Sequence, residues 1–153
     1  MWFRAAPGLA LVLAVAACGN SEPRMPSVCV DAGEAGYEQA LRATPGAVRL
    51  AGGVPISACA WRVRTDAELQ NLGTVVHGVA ERLADRARTA ADADAARRLG
   101  YLTGAIAAGS AHSNGVSAEL ARRVAIAGSA LGDVSPALAR ALTEGQDAGQ
   151  ARG

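Results

Sequence analysis

The chain has 153 residues, 50% of them hydrophobic but only 3% aromatic, and carries a formal net charge of +1. All of its positive charges are arginines, interspersed with the acidic residues rather than gathered. No basic patch of the kind that holds nucleic acid is visible, and no long-range attraction to anionic lipid is indicated.

The chain opens on a three-part leader: Arg4 supplies a positive end, Ala5 to Ala14 an apolar core, and Ala16 and Ala17 a small-residue exit. The apolar run is shorter than the roughly 20 residues that span a bilayer, so it reads as a signal peptide over residues 1–17. Its last positions, Val15-Ala16-Ala17-Cys18, resemble the lipobox of bacterial lipoproteins. The resemblance implies cleavage before Cys18, diacylglycerol on its sulfur, and an extracytoplasmic protein lipid-anchored to the cell membrane. Two acyl chains anchor stably where one holds only marginally. An ordinary signal peptide with Cys18 incidental is the alternative. Residues 18–28 then form the lipidated N-terminus and a polar, proline-containing spacer, and residues 29–153 a single domain. With Arg4 removed, 14 arginines balance 14 acidic residues.

Three cysteines leave an odd thiol in an exported chain. Assigning Cys18 to lipid leaves Cys29 and Cys59 to pair in an oxidising compartment. Closing that loop of about 30 residues would stabilise the fold by about 3–4 kcal/mol. A two-cysteine metal or redox site is the rival, but the spacing is far from Cys-x-x-Cys and no histidine is close in sequence.

The domain reads as mainly α: a small antiparallel bundle of about four to five helices, with a short hairpin-like segment stapled by the disulfide. Asp31 can cap a first helix running to about Ala43, ended by Thr44-Pro45-Gly46. Val48-Arg49-Leu50 and Val54-Pro55-Ile56-Ser57 flank Ala51-Gly52-Gly53 as a small hairpin, with Pro55 confining the second strand to an edge. Trp61 is expected to cover the staple. Thr65-Asp66-Ala67-Glu68 is a capping box opening a long helix with the seam Leu69, Leu72, Val76, Val79 and Leu83. The seam resumes at Leu99, Leu102 and Ile106 out of phase, which predicts a break near Asp92 to Asp94.

In the next helix Gly100, Gly104 and Ala108 recur every fourth position. Each glycine costs about 1 kcal/mol against alanine, so the row predicts a close contact between helix backbones, within the bundle or as a dimer face. Ser113-Asn114-Gly115 closes this helix, and Ser117 opens another with the seam Leu120, Val124, Ala127 and Leu131, ended by Gly132-Asp133. Ser135-Pro136 opens the last helix, whose apolar side is Leu138 and Leu142. From Glu144 the polar, glycine-containing tail is expected to fray.

The segments Tyr37-Glu38-Gln39-Ala40-Leu41, Ile56-Ser57-Ala58-Cys59, Leu69-Gln70-Asn71-Leu72-Gly73 and Leu99-Gly100-Tyr101-Leu102-Thr103-Gly104 look like those of small uncharacterised lipoproteins of GC-rich actinobacteria. That resemblance implies an envelope location and transfers no active site.

Candidate chemistry is sparse. His77, beside the apolar seam, reads as a partly buried structural histidine, and His112 as a residue near a helix end favoured by the helix dipole. Ser110, His112 and Ser113 would serve a small envelope hydrolase, but no Gly-x-Ser-x-Gly elbow supports it, and helix capping is the plainer role. Glu81, Asp85, Asp92 and Asp94 alternate with arginines as a solvated ion-pair face, with Asp94 placed to meet Arg98. No catalytic residue, metal or cofactor is assigned. Tyr37, Trp61, Gln70, Asn71 and Tyr101 are the candidate recognition patch, against a small aromatic cluster near the disulfide as the structural alternative.

These readings favour a non-enzymatic interaction or structural module of the cell envelope, partnered by the membrane through Cys18 and by an envelope protein. The alternative is a carrier of a small apolar ligand or lipid between helices opened by the glycine row. The two differ in what they require: an exposed apolar patch over a dry core, or an internal pocket.

Overall fold

A computed structural model describes residues 24–129, 131 and 135–153. The expected signal peptide, Cys18 and the helix end at Gly132-Asp133 lie outside the described residues. Among those described there are seven α-helices and no strand.

The N-terminal segment differs from the single expected helix. Order in the core begins before residue 29, since Met25 and Val28 pack against it and α1 spans Val28–Asp31. Asp31 lies inside α1 and caps nothing, and α2 (Gly33–Leu41) starts afresh because Gly33 takes φ +57°. That left-handed conformation suits glycine and interrupts a helix. The break lets both short helices face inward. Cys29 and Tyr37 are fully buried, and the Tyr37 hydroxyl donates to the Cys29 carbonyl at 2.9 Å.

The expected hairpin survives only as a reversal. Leu50 N–H donates to the Val54 carbonyl at 2.8 Å and a single antiparallel bridge joins Arg49 to Pro55 around a 3₁₀ turn, Ala51–Gly53. Pro55 has no N–H for a second rung, and the chain after it becomes α3 (Ile56–Trp61) with Pro55 as its N-cap. Cys59 is therefore helical, and its disulfide to Cys29, with Cα atoms 5.5 Å apart, ties α3 to α1.

Helix α4 (Asp66–Ala90) carries the expected capping box: Glu68 N–H donates to Thr65 Oγ1 and Thr65 N–H to the Glu68 carboxylate, both at 3.2 Å. Its seam Leu72, Val76, Val79 and Leu83 is fully buried, with Leu69 partly so. The break falls where the phase slips: Ala91 is left-handed at φ 49°, and Asp92 Oδ1 accepts from the N–H groups of Asp94 and Ala95 at 2.9 Å to start α5 (Ala93–Ala111). Helix α5 packs against α3, α4, α6 (Ala118–Ser129) and α7 (Pro136–Arg152), and 12 of its 19 residues are buried, as befits a helix apolar almost all round. Ser135 Oγ accepts from Ala137 N–H at 3.2 Å to open α7, with Pro136 at its first position.

The glycine row is an intramolecular contact, and its partner is the tail that was expected to fray. A Cβ on Gly100 would fall on the Leu142 carbonyl oxygen, and one on Gly104 on that of Gln146; reciprocally, Gly145 meets the Arg97 carbonyl and Gly149 that of Tyr101. These matches advance together, so α5 and α7 run parallel, glycine Cα–H groups facing carbonyl oxygens on both sides. Helix α7 consequently continues to Arg152, and Gly145, Ala148 and Gly149 are buried. Its end is tied down: Arg152 Nη1 donates to the Pro45 carbonyl at 2.7 Å, Arg49 Nη1 to the Arg152 carbonyl at 2.9 Å, and Ser57 Oγ to the Gly153 carbonyl at 2.5 Å.

Candidate functional site

Helices α4 and α6 diverge over the core to leave a half-open groove of about 770 Å³. From α4 it is lined by Leu69, Gln70, Gly73 and His77, and from α6 by Leu120 and Arg123. The floor is apolar because Leu69 and Leu120 belong to the two helix seams, while the rim is polar because the next positions around each helix face water. Gly73 keeps the floor low. A Cβ there would meet only Leu120 Cδ1, at 3.9 Å, so packing does not demand this glycine.

The rim is held by short-range ion pairs. Glu119, in the first turn of α6, accepts from Arg122 Nε at 2.7 Å and from Arg123 Nε at 2.8 Å. The bonds from Arg122 and then Arg123 hold its carboxyl down at about 2. Across the groove His77 Nε2 lies 3.1 Å from Glu81 Oε1, one turn along α4. His77 is exposed, not partly buried as its place beside the seam suggested: one position on from the fully buried Val76, it is turned about 100° round α4, away from the seam that continues through Val79 and Leu83.

A second surface lies at the end of α3. Ser117 Oγ donates to the Ala60 carbonyl at 3.0 Å, bringing the entry to α6 against the end of α3. Beside this bond Trp61 is 40% exposed and Val116 43% exposed, the His112 ring meets Trp61 edge-on with centroids 6.3 Å apart, and the Arg62 guanidinium lies 5.5 Å from the Trp61 ring centre. Trp61 therefore does not cover the disulfide. Two residues beyond Cys59 on a helix, it points well round from the cystine, toward α5's C-terminal end.

The five residues of the candidate recognition patch separate into two sets. Trp61, Gln70 and Asn71 are exposed, and Gln70 lines the groove. Tyr37 and Tyr101 are fully buried and cannot meet a partner; the Tyr101 hydroxyl accepts from Val48 N–H at 3.1 Å, as Tyr37 is engaged with Cys29. Both tyrosines are polar tips satisfied inside a core. Glu119 and Arg123, and Leu120 as more than a seam residue, carry no local sequence signal of a site, because only the packing of α6 on α4 brings them to the groove.

The remaining candidates have structural employment. Ser113 Oγ donates to the Ser110 carbonyl at 2.7 Å and accepts from Ser117 N–H at 3.1 Å, so it stabilises the turn between α5 and α6. His112 is the C-cap of α5, with its ring against Trp61. Asp94 pairs with Arg97 at 2.6 Å rather than with the expected Arg98, and Arg97 also reaches Glu144 of α7 at 3.3 Å. Glu34 and Glu38 of α2 pair with Arg82 of α4, and Glu38 also with Arg86. Among the described residues no group of three or more His, Cys, Asp or Glu could hold a metal ion, and no helix is long and apolar enough to cross a membrane. No protein-family model matches the chain, and neither a curated protein nor a solved structure matches it.

Proposed function

We propose that the chain is an extracytoplasmic lipoprotein, anchored through Cys18, whose helical bundle is a non-enzymatic interaction module of the cell envelope with the α4/α6 groove as its contact surface. The groove is the observation that carries this reading: an apolar floor with a polar rim, on two helices otherwise fixed in the core. Gly73 adds to it, because a mid-helix glycine that packing does not require costs helix stability and leaves room above Leu120. The buried Cys29–Cys59 disulfide supports export to an oxidising compartment and leaves Cys18 as the odd cysteine beside the lipobox-like residues.

A photo-crosslinking residue in place of Gln70 tests the contact surface in cells of the source organism. An adduct with an envelope protein is expected from Gln70 and not from Thr89, which is exposed on α4 outside the groove. Absence of any adduct at Gln70, or equal adducts at both, would count against the module.

The size of the groove also favours a second reading, a carrier of a small apolar ligand, since small-molecule sites commonly enclose roughly 300–1,000 Å³. Its seat would be the groove rather than the glycine row, which closes α5 on α7. Co-purification of a reproducible apolar compound, lost on Gly73→Leu, would favour it.

A further inference from the structure

We infer that the surface formed by Trp61, Arg62, His112 and Val116 seats on the lipid headgroups of the membrane to which Cys18 is anchored. The inference rests on the lipid-anchor reading and adds an orientation to it.

Reach comes first. Only six residues separate Cys18 from Met25, the first side chain packed on the core, and the seven Cα-to-Cα steps span at most about 25 Å. The disulfide then holds Cys29 within 5.5 Å, Cα to Cα, of Cys59, two residues before Trp61. The disulfide thus ties α1 to α3, and a tether of that length lets the bilayer reach the end of α3.

Chemistry comes second. Tryptophan is favoured at the membrane–water interface, where its apolar ring and its N–H each find a suitable medium. Trp61 is the large exposed aromatic of the described residues, and Val116 beside it adds an exposed aliphatic group. Arg62, half-buried beside the indole, holds its guanidinium 5.5 Å from the Trp61 ring centre, where a cation is attracted to the aromatic face. The His112 ring lies against the indole edge, and Arg64 Nη1 donates to the Trp61 backbone carbonyl at 2.9 Å.

Such a small patch would hold a free protein weakly. A tether of this length raises its effective concentration at the bilayer to the millimolar range, so a weak contact suffices. The two docking groups Trp61 and Val116 are uncharged, so their seating on zwitterionic lipid requires no anionic headgroup and varies little with salt.

Trp61 is the sole tryptophan of residues 18–153 and so its own reporter. Lipidated protein is reconstituted into phosphatidylcholine vesicles with plain or acyl-brominated chains, and the state of Cys18 is read by mass spectrometry on the same sample. Trp61 is expected to lose most of its emission in brominated vesicles, equally at low and high salt, and Val116→Asp, equally lipidated, to recover it. Equal emission in the two vesicle types from protein whose Cys18 carries lipid would overturn docking and leave the anchor standing. A Cys18 without lipid in protein taken from the membrane would overturn the anchor and docking with it. Emission indifferent to bromine, yet shielded from aqueous acrylamide in native envelope membranes, would assign the patch to a protein and also overturn the inference.

Discussion

Gly104 and Gly73 both lie inside long helices, yet the same substitution has opposite expected effects at the two. On Gly104 a methyl group would land on the backbone carbonyl of Gln146, which cannot step aside without moving α7. Gly104→Ala is expected to cost about 1–3 kcal/mol in urea unfolding, as overpacking does. Gly73→Ala meets only a methyl at ordinary contact distance and is expected to gain up to about 1 kcal/mol from helix propensity. A neutral Gly104→Ala would contradict the backbone contact. Tyr37 gives a pH signature: burial holds its phenol well above the usual tyrosine range. The unfolded side chain ionises near pH 10, so the stabilisation is complete below about pH 10 and is lost as pH rises toward the folded-state value. Tyr37→Phe should abolish that alkaline loss in urea midpoints measured against pH, while costing about 1–3 kcal/mol at neutral pH by leaving the buried Cys29 carbonyl unpaired. At this scale the sequence was readable where the chemistry is local. Thr65 and Glu68 cap each other across one turn, and Ser135-Pro136 needs nothing else to start a helix. For Tyr37 and Tyr101 the sequence leaves a recognition patch and an aromatic cluster near the disulfide both open, because a phenol that finds a buried carbonyl or N–H looks, in sequence, like one that faces water; burial places both in the core.

Elements were legible in proportion to their length. Helix α4 announces itself by a seam of five apolar residues, and its end by the slip of phase at Asp92. Helix α3 is six residues long and follows a proline, so its Ile-Ser-Ala-Cys stretch reads as easily extended as helical, and only the disulfide geometry and the core decide. The C-terminal helix was misread for a different reason. Gly145, Gly149 and Gly153 repeat at the same interval as Gly100 and Gly104, but glycine in a polar segment signals a frayed end until a partner row is recognised. The staple belongs to this scale because it joins two of the shortest helices, neither able to bury much alone. Opening it by Cys29→Ser with Cys59→Ser is expected to lower stability by about 3–4 kcal/mol for a loop of 30 residues, read as a drop in urea midpoint with an unchanged slope. A loss well under 1 kcal/mol would mean that α1 and α3 hold together without the bond.

Taken whole, the molecule is a bundle organised around α5, with a parallel glycine contact to α7 on one side and a groove between α4 and α6 on another. The bundle class followed from helical periodicity; the groove did not, because it is made by two helices separated by the whole of α5, and no local pattern encodes how they diverge. The proposed orientation places Trp61 and Val116 against lipid while the groove, starting at Asp66, remains available to an envelope partner. All of this depends on where the chain is held, and the direct test is the intact mass of the protein extracted from its own membrane. The account predicts a chain beginning at Cys18, carrying diacylglycerol on that residue and one disulfide between Cys29 and Cys59. A chain with an unmodified Cys18, or one cleaved elsewhere, would contradict it.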